Sequence, residues 1–162
     1  MKKAVVLAWG AAAWVIIAAT PGLAQRPFGV YGAGPRVGFT INPDQVHFGG
    51  HLDMGDFAPR LMLFPNIEIG IGDDRTVVST AFELDYRFRD DWGSWNPYIG
   101  GGIGPRFVSR DFGRDDTEVG LAIQGGITRR LTSQPGFFFL ELKLGLVDYP
   151  DAKFTAGWSF GR

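Results

Sequence analysis

The chain has 162 residues, of which 24 are glycine and none is cysteine, and its formal net charge at pH 7 is −1. This length suits a single domain, and the lack of cysteine excludes disulfides and thiolate metal sites. No basic patch stands out, so nucleic acid is not expected as a partner. Glycine has about twice its usual share without a collagen-like period, so it needs a structural explanation.

The first residues have the three parts of a secretory signal peptide. Lys2 and Lys3 form a basic start, and Ala4–Ala19 is uncharged and mostly apolar. Gly22 and Ala24 then place small residues at the two cleavage-site positions. The apolar run is shorter than the about 20 residues that a membrane-spanning helix needs, which favours a cleaved signal over a retained anchor.

Two domain assignments follow from this N-terminus. Residues 1–24 are predicted to be a signal peptide that directs export through the Sec pathway. Residues 25–162 are predicted to form one β-barrel domain.

A two-residue alternation runs through the rest of the chain. Between Val78 and Phe88, large apolar residues alternate with small or charged ones, as in a strand with one apolar and one polar face. No segment after residue 27 has sustained helical periodicity. The alternation predicts eight strands, at about Phe28 to Ile41, Val46 to Met54, Arg60 to Ile71, Thr76 to Phe88, Tyr98 to Val108, Thr117 to Arg129, Phe137 to Val147 and Ala152 to Phe160.

The connections between these strands are short and carry turn residues. Asn42-Pro43-Asp44, Gly72-Asp73-Asp74 and Gln134-Pro135-Gly136 are compact breaks. Parallel neighbours would need long crossovers, so successive strands are expected to be antiparallel. An even number of such strands can close into an up-and-down barrel.

Volume decides which face of the barrel points inward. An eight-stranded barrel has an interior only just wide enough to be filled by side chains. The apolar face supplies about four to six large residues per strand, too many for that space, whereas the polar face carries most of the glycines. The predicted fold is therefore all-β, an eight-stranded antiparallel up-and-down transmembrane β-barrel with its apolar face toward lipid.

The charged residues of the polar face are balanced in sign. Buried charges must be paired, so equal numbers of acids and bases indicate pairing across a confined lumen. The candidate lumen network consists of Arg36, Asp53, Arg60, Glu68, Glu83, Asp85, Arg87, Arg106, Glu118, Glu141, Lys143 and Lys153. Within it, the residues expected to plug the lumen are Arg60, Glu68, Glu83, Asp85, Arg87, Arg106 and Lys143.

Aromatic residues fall near the predicted strand ends. Such positions are typical of the aromatic girdles of membrane barrels, where a ring lies at the level of the lipid headgroups. The residues expected in these girdles are Phe28, Tyr31, Tyr86, Phe88, Tyr98, Phe107, Trp158 and Phe160.

Three segments carry a resemblance to a known family. Trp95–Gly104 resembles the W-x-P-Y-x-G-x-G-x-G stretch of small outer-membrane β-barrels of the OmpA-like, porin-family type. Phe139–Gly145 and Gly157–Phe160 are similar to later strands of such proteins. The chain departs from the family at its end, where Gly161 and Arg162 follow the aromatic Phe160.

This resemblance implies a location and partners. The location is the outer membrane of a Gram-negative-type cell. The implied partners are outer-membrane lipids and lipopolysaccharide, together with the barrel-assembly machinery during biogenesis. Members of the family usually end on an aromatic residue that this machinery reads, so Phe160 would serve from an offset position.

We predict no catalytic, cofactor or metal site. His47 and His51 share a strand face but lie about 13 Å apart, too far to bind one metal, and a lumen hydrogen-bond network is the preferred interpretation, with His51 able to pair with Asp53. Ser79 shares a face with Glu83, but no histidine accompanies it in the sequence as a base. The chain is therefore not expected to be an enzyme or to use a cofactor.

The predicted function is a structural or narrow-pore role in the outer membrane, with the lumen closed by the charged network. Both termini would be periplasmic, and the connections that face outward would be short, which argues against an adhesin. Two alternatives stay open at this point. One is a soluble periplasmic lipocalin-like barrel that binds an apolar ligand, and the other is a lipid A-modifying barrel enzyme.

The signal peptide yields a direct prediction. Signal cleavage follows small residues, so N-terminal sequencing of the exported protein is expected to start at Gln25. A mature chain that still starts at Met1 would contradict the assignment.

Overall fold

A computed structural model describes residues 28–72, 74–89, 92–111 and 115–161. The predicted signal peptide and its cleavage site lie outside the described residues. Among the described residues, no helix is long and apolar enough to cross a membrane.

The described chain folds into a closed barrel of eight antiparallel strands. Two of them, β2 and β3, are each interrupted once. The strands are β1 (Gly32–Ile41), β2 (Gln45–Asp53 and Asp56–Ala58), β3 (Leu61–Leu63 and Asn66–Gly72), β4 (Arg75–Arg87), β5 (Asn96–Arg110), β6 (Asp116–Arg130), β7 (Gly136–Val147) and β8 (Ala152–Gly161).

Each strand pairs with its neighbour in the chain, and β1 closes the ring by pairing with β8. Gly32 is opposite Gly161 in that closing pair, so both ends of the barrel chain lie together. We call this the termini end, and it also holds the β2–β3, β4–β5 and β6–β7 connections. The opposite, far end holds the β1–β2, β3–β4, β5–β6 and β7–β8 connections.

The predicted all-β fold and its eight antiparallel strands are confirmed. The main difference is the interruption near the β2–β3 turn. Pro65 has no backbone N–H to donate, which interrupts the ladder of β3 at that residue. The N–H of Phe64 still donates to the carbonyl oxygen of Glu83 at 2.8 Å, and the register with β4 continues on both sides. In β2 a register shift occurs between Asp56 and Ala58, where the strand bulges before the turn.

Burial follows the pleat of the strands with polar residues inside. Among the described residues, 18 polar or charged residues and 7 hydrophobic ones are buried, whereas 30 large hydrophobic residues are exposed. In β7, Leu140, Leu142 and Leu144 face outward while Glu141 and Lys143 are buried between them. The barrel is thus apolar on its outer surface and polar in its lumen.

The aromatic residues divide between the two faces. Phe28, Tyr86, Phe88, Trp158 and Phe160 are exposed near the termini end, as expected of a girdle, and Phe107 is exposed near the far end. Tyr98 was expected in the girdle, but it is 5% exposed and lies in the lumen. It shares its strand phase with Arg106, which is eight residues further along β5, so the alternation of the strand places Tyr98 on the polar face and the girdle prediction for it is wrong.

Glycines on the inner face lie where strands or long side chains come close. A Cβ atom added at Gly34 would overlap the carbonyl oxygen of Trp158. At Gly50, which faces outward on the neighbouring strand, an added Cβ would meet only the carbonyl oxygen of Gly34, at 3.6 Å. The inner face therefore requires glycine at positions where the outer face does not.

This contrast predicts the effect of two matched substitutions. Gly34→Ala is expected to lower the free energy of unfolding by about 1–3 kcal/mol or more, because the added methyl group overlaps backbone. Gly50→Ala is the control and should change it by less than about 0.5 kcal/mol. Urea titration of the folded barrel, followed by its mobility on unheated gels, measures both values. Equal effects would contradict the assignment of faces.

Candidate functional site

The centre of the lumen is organised around the guanidinium group of Arg36, which is 1% exposed. Its Nη2 donates to Glu141 Oε1 at 2.8 Å, and its Nη1 donates to Glu83 Oε2 at 3.3 Å. Its Nε lies 2.8 Å from Glu68 Oε1 in an ion pair that lacks hydrogen-bond geometry. One buried cation therefore contacts three buried carboxylates.

Two lysines complete the pairing of these carboxylates. Lys143 contacts Glu83 and lies 3.2 Å from Glu141 Oε1. Lys153 pairs with Glu68. Three cations thus face three carboxylates, and buried charges of opposite sign are paired. We call these residues the central ion-pair cluster: Arg36, Glu68, Glu83, Glu141, Lys143 and Lys153.

Uncharged side chains extend the cluster toward β5 and β6. Tyr98 donates its hydroxyl to Glu141 Oε2 at 2.8 Å. Gln124 Nε2 donates to Asp85 Oδ1 at 2.6 Å. A candidate network chosen from charged residues omits both Tyr98 and Gln124, because neither side chain is charged.

Three carboxyl groups meet at this edge of the cluster. Glu83, Asp85 and Glu141 each offer an oxygen atom within 4.8 Å of the others. Such a spacing suits a metal ion, but the oxygens of Glu83 and Glu141 already contact Arg36 and Lys143. The arrangement is therefore an ion-pair network rather than a preformed metal centre.

The two histidines of β2 have different surroundings. His47 Nε2 lies 3.2 Å from Thr155 Oγ1, in hydrogen-bond contact within the lumen. The ring of His51 stacks on Phe64 at 4.5 Å and meets the edge of Phe139 at 5.2 Å. Neither ring nitrogen of His51 has a hydrogen-bond partner among the described residues, so the suggested pairing with Asp53 is not formed.

Aromatic and apolar side chains fill the lumen toward the termini end. Met62, Phe64 and Phe139 form a buried cluster, with Phe137 packed against it. Phe139 also lies under the guanidinium of Arg36, 5.5 Å from ring centroid to carbon. We call Met62, Phe64, Phe137 and Phe139 the apolar plug, and its position closes the barrel below the central ion-pair cluster.

Some predicted network residues lie near the termini end instead of in the central cluster. Arg87 pairs with Asp56, and the Arg87 side chain is 32% exposed. Arg60 occupies the β2–β3 turn with a φ of 66°. Asp53 is buried and accepts a hydrogen bond from the backbone N–H of Gly55 at 3.0 Å.

Arg106 and Glu118, also predicted for the network, pair with each other at the far end. Arg106 Nη1 lies 3.1 Å from Glu118 Oε2, and its guanidinium carbon lies 5.4 Å from the centroid of the Tyr149 ring. An open vestibule of about 240 Å³ is lined by these three residues among others. The structure therefore separates the predicted residues into a central cluster and two further groups, one at each end of the barrel.

The cavities that remain beside the central cluster are very small. One cavity between Glu83, Gln124 and Lys143 has a volume of about 10 Å³. Another beside His47, Glu68 and Lys153 has a volume of about 20 Å³. Each has room for about one water molecule. These two cavities, bounded by described residues, leave space for single water molecules and not for a larger solute.

The comparisons with known proteins bear on the fold. No protein-family model matches this sequence, and no curated protein matches it significantly. Among solved structures, the barrel is similar to Neisserial surface protein A, with a TM-score of 0.58 and 14% sequence identity. The match covers 81% of this chain and 95% of that chain. At this identity the likeness concerns the eight-stranded barrel fold.

The central cluster predicts a large effect for one substitution. Arg36→Gln leaves the buried carboxylates of Glu68, Glu83 and Glu141 short of positive charge, and it is expected to lower the free energy of unfolding by about 3–5 kcal/mol. The control is Arg110→Gln, because Arg110 is 32% exposed and lies 3.9 Å from Glu118, and it should cost no more than about 1 kcal/mol. Urea unfolding in lipid vesicles gives both values. Equal losses would show that the buried carboxylates do not need Arg36 to compensate their charge.

Proposed function

We propose that this chain is an outer-membrane β-barrel with a structural or narrow-pore role, whose lumen is closed by the central ion-pair cluster. The observation that carries the proposal is the reversal of burial, with charges inside and large apolar side chains outside. A membrane barrel has this arrangement because its outer face contacts lipid.

The apolar surface extends around the whole barrel. Each of the eight strands carries exposed large hydrophobic residues. On β4, for example, the exposed fraction is 36% for Leu84 and 60% for Phe82. Soluble monomers rarely expose contiguous apolar patches larger than a few hundred Å². A soluble lipocalin-like barrel would instead enclose its apolar residues around a ligand, and the lumen described here is lined by charges.

Location and orientation are parts of the same proposal. The shared fold with Neisserial surface protein A supports a place at the cell surface, in the outer membrane of a Gram-negative-type cell. Export would use the signal peptide at residues 1–24. Periplasmic termini would direct the far end outward, where the connections are short: residues 42–44, 73–74, 111–115 and 148–151.

These short connections favour an envelope role over adhesion, since they offer little surface for a large partner. The expected partners remain outer-membrane lipids, lipopolysaccharide and the barrel-assembly machinery. We propose no catalytic role. Deletion of the gene is therefore expected to leave the composition of lipid A unchanged.

Cell fractionation tests the location. Membranes from cells that express the full chain would be washed in alkaline carbonate, and the mature protein is expected to stay in the outer-membrane pellet. Release into the soluble periplasmic fraction would refute the membrane role and would make the outward apolar surface an interface with another molecule.

Conductance in planar bilayers tests the closure of the lumen. The unmodified barrel is expected to conduct little, whereas Glu83→Ala removes a carboxylate shared by Arg36 and Lys143 and should raise conductance. Glu118→Ala is the control, because Glu118 pairs with Arg106 near the far end and is 24% exposed. Lys143→Ala provides a second opening variant if Glu83→Ala does not fold. Folded variants of Glu83 and Lys143 with unchanged conductance would show that the apolar plug closes the lumen by itself, and they would refute closure by the central ion-pair cluster.

A further inference from the structure

An open apolar groove crosses the outer surface of β1, β8, β7, β6 and β5. It has a volume of about 1040 Å³. Small residues, Gly125 on β6 and Ala156 on β8, lie among its lining residues, and larger side chains border them. The rings of Phe39 and Phe154, stacked at 4.9 Å, form one border.

The groove ends at an aromatic belt near the termini end. Phe88 and Trp92, from the end of β4 and the connection that follows it, line the groove there. Trp92 and Trp95 form an isolated antiparallel β-bridge. The N–H of Trp92 donates to the carbonyl oxygen of Trp95 at 2.8 Å, and the N–H of Trp95 donates to that of Trp92 at 3.3 Å. The ring of Trp95 contacts that of Phe138, with centroids 6.2 Å apart.

A basic side chain stands at this end of the groove. The guanidinium of Arg129 lies 5.6 Å from the centroid of Trp95. Arg129 is two residues beyond Ile127, which lines the groove, so both residues are on the same outward face of β6. The groove therefore presents an apolar trough with a positive charge and indole rings at one end.

This combination matches an amphiphile with an anionic headgroup. An acyl chain has the apolar surface and the flexibility to fill a trough between fixed side chains, and an unfilled trough would lose those contacts. A guanidinium in cation–π contact with an indole ring can still donate its N–H groups to a phosphate. Tryptophan itself favours the depth of the lipid headgroups.

We infer that the groove is a specific lipid site that holds an acyl chain of a glycerophospholipid with an anionic headgroup, whose phosphate is contacted by Arg129. The site rests on the proposed function, because only a barrel in a bilayer meets such a lipid at this surface. With periplasmic termini, the headgroup lies in the periplasmic leaflet. Asp90 and Asp91 follow Arg89 in the chain and lie outside the described residues. We assign the headgroup contact to Arg129 alone.

The tryptophans beside the groove supply the measurement. Residues 25–162 contain three tryptophans, and Trp158→Phe leaves Trp92 and Trp95 as reporters. The full barrel would be placed in vesicles that contain brominated phosphatidylglycerol or brominated phosphatidylcholine, and quenching of tryptophan fluorescence would give the relative affinity of the two lipids. We expect about a fivefold preference for phosphatidylglycerol, the size that one basic side chain produces at a lipid surface.

Two pairs of variants separate the parts of the site. Arg129→Gln should abolish the headgroup preference, whereas Arg130→Gln, the exposed neighbour on the other strand face, should retain it. The barrel should tolerate Gly125→Leu, because an added Cβ there meets only the carbonyl oxygen of Tyr98 at 3.8 Å. The new side chain should fill the trough and therefore reduce quenching by either lipid. Gly50→Leu makes the same change on the outer face outside this groove and should leave quenching unchanged.

The outcomes distinguish the site from the membrane role. Strong quenching without headgroup preference, or the same quenching in Gly125→Leu and Gly50→Leu, refutes the lipid site while the barrel is still in the bilayer. No quenching by either lipid refutes the membrane role itself. A dimer in detergent that Gly125→Leu dissociates would assign the groove to a second copy of the chain and would overturn the lipid site.

Discussion

The structure depends on the requirement that a fully buried guanidinium be surrounded by negative charge. Arg36 on β1 meets Glu68 on β3, Glu83 on β4 and Glu141 on β7, and none of these strands pairs with β1. The contacts therefore run across the lumen. They are possible only if the barrel is narrow enough for opposite walls to meet through side chains.

The same requirement explains where the small residues lie. Charged side chains that reach the barrel centre pass over the inner face of neighbouring strands and need space there. An added Cβ at Gly102 would lie 2.9 Å from Cγ of Glu83, and one at Gly120 would lie 2.8 Å from Cδ of Arg106. The abundance of glycine is thus a consequence of filling a narrow lumen with long polar side chains, rather than of turns alone.

The lumen is built differently along its axis. A vestibule opens at the far end, the central ion-pair cluster occupies the middle, and the apolar plug closes the termini end. His51 lies at the boundary between the last two, stacked on Phe64 near Phe139. In the middle layer, removal of one charged partner would leave another charge buried without compensation.

The outer surface has an asymmetry of its own. Rings in contact near the termini end include Phe138 with Trp158 at 5.1 Å and Trp95 with Phe138 at 6.2 Å. The far end is mainly aliphatic, with residues such as Ile41, Val46 and Val119 exposed. A barrel oriented in a bilayer by its termini end would place these rings at one headgroup region, where aromatic side chains are favoured.

The sequence by itself determined the strand number, the approximate limits of each strand and the alternation of a polar with an apolar face. It could do so because side-chain direction along a strand has a period of two, which is a local property of the backbone. Only the tertiary structure decided which charges meet. Arg36, Glu83 and Glu141 come together because of ring closure and register, whereas Arg87 at the end of β4 and Arg60 in the β2–β3 turn lie near the termini end. Pairing across a lumen joins residues distant in the chain, and no local pattern records that distance.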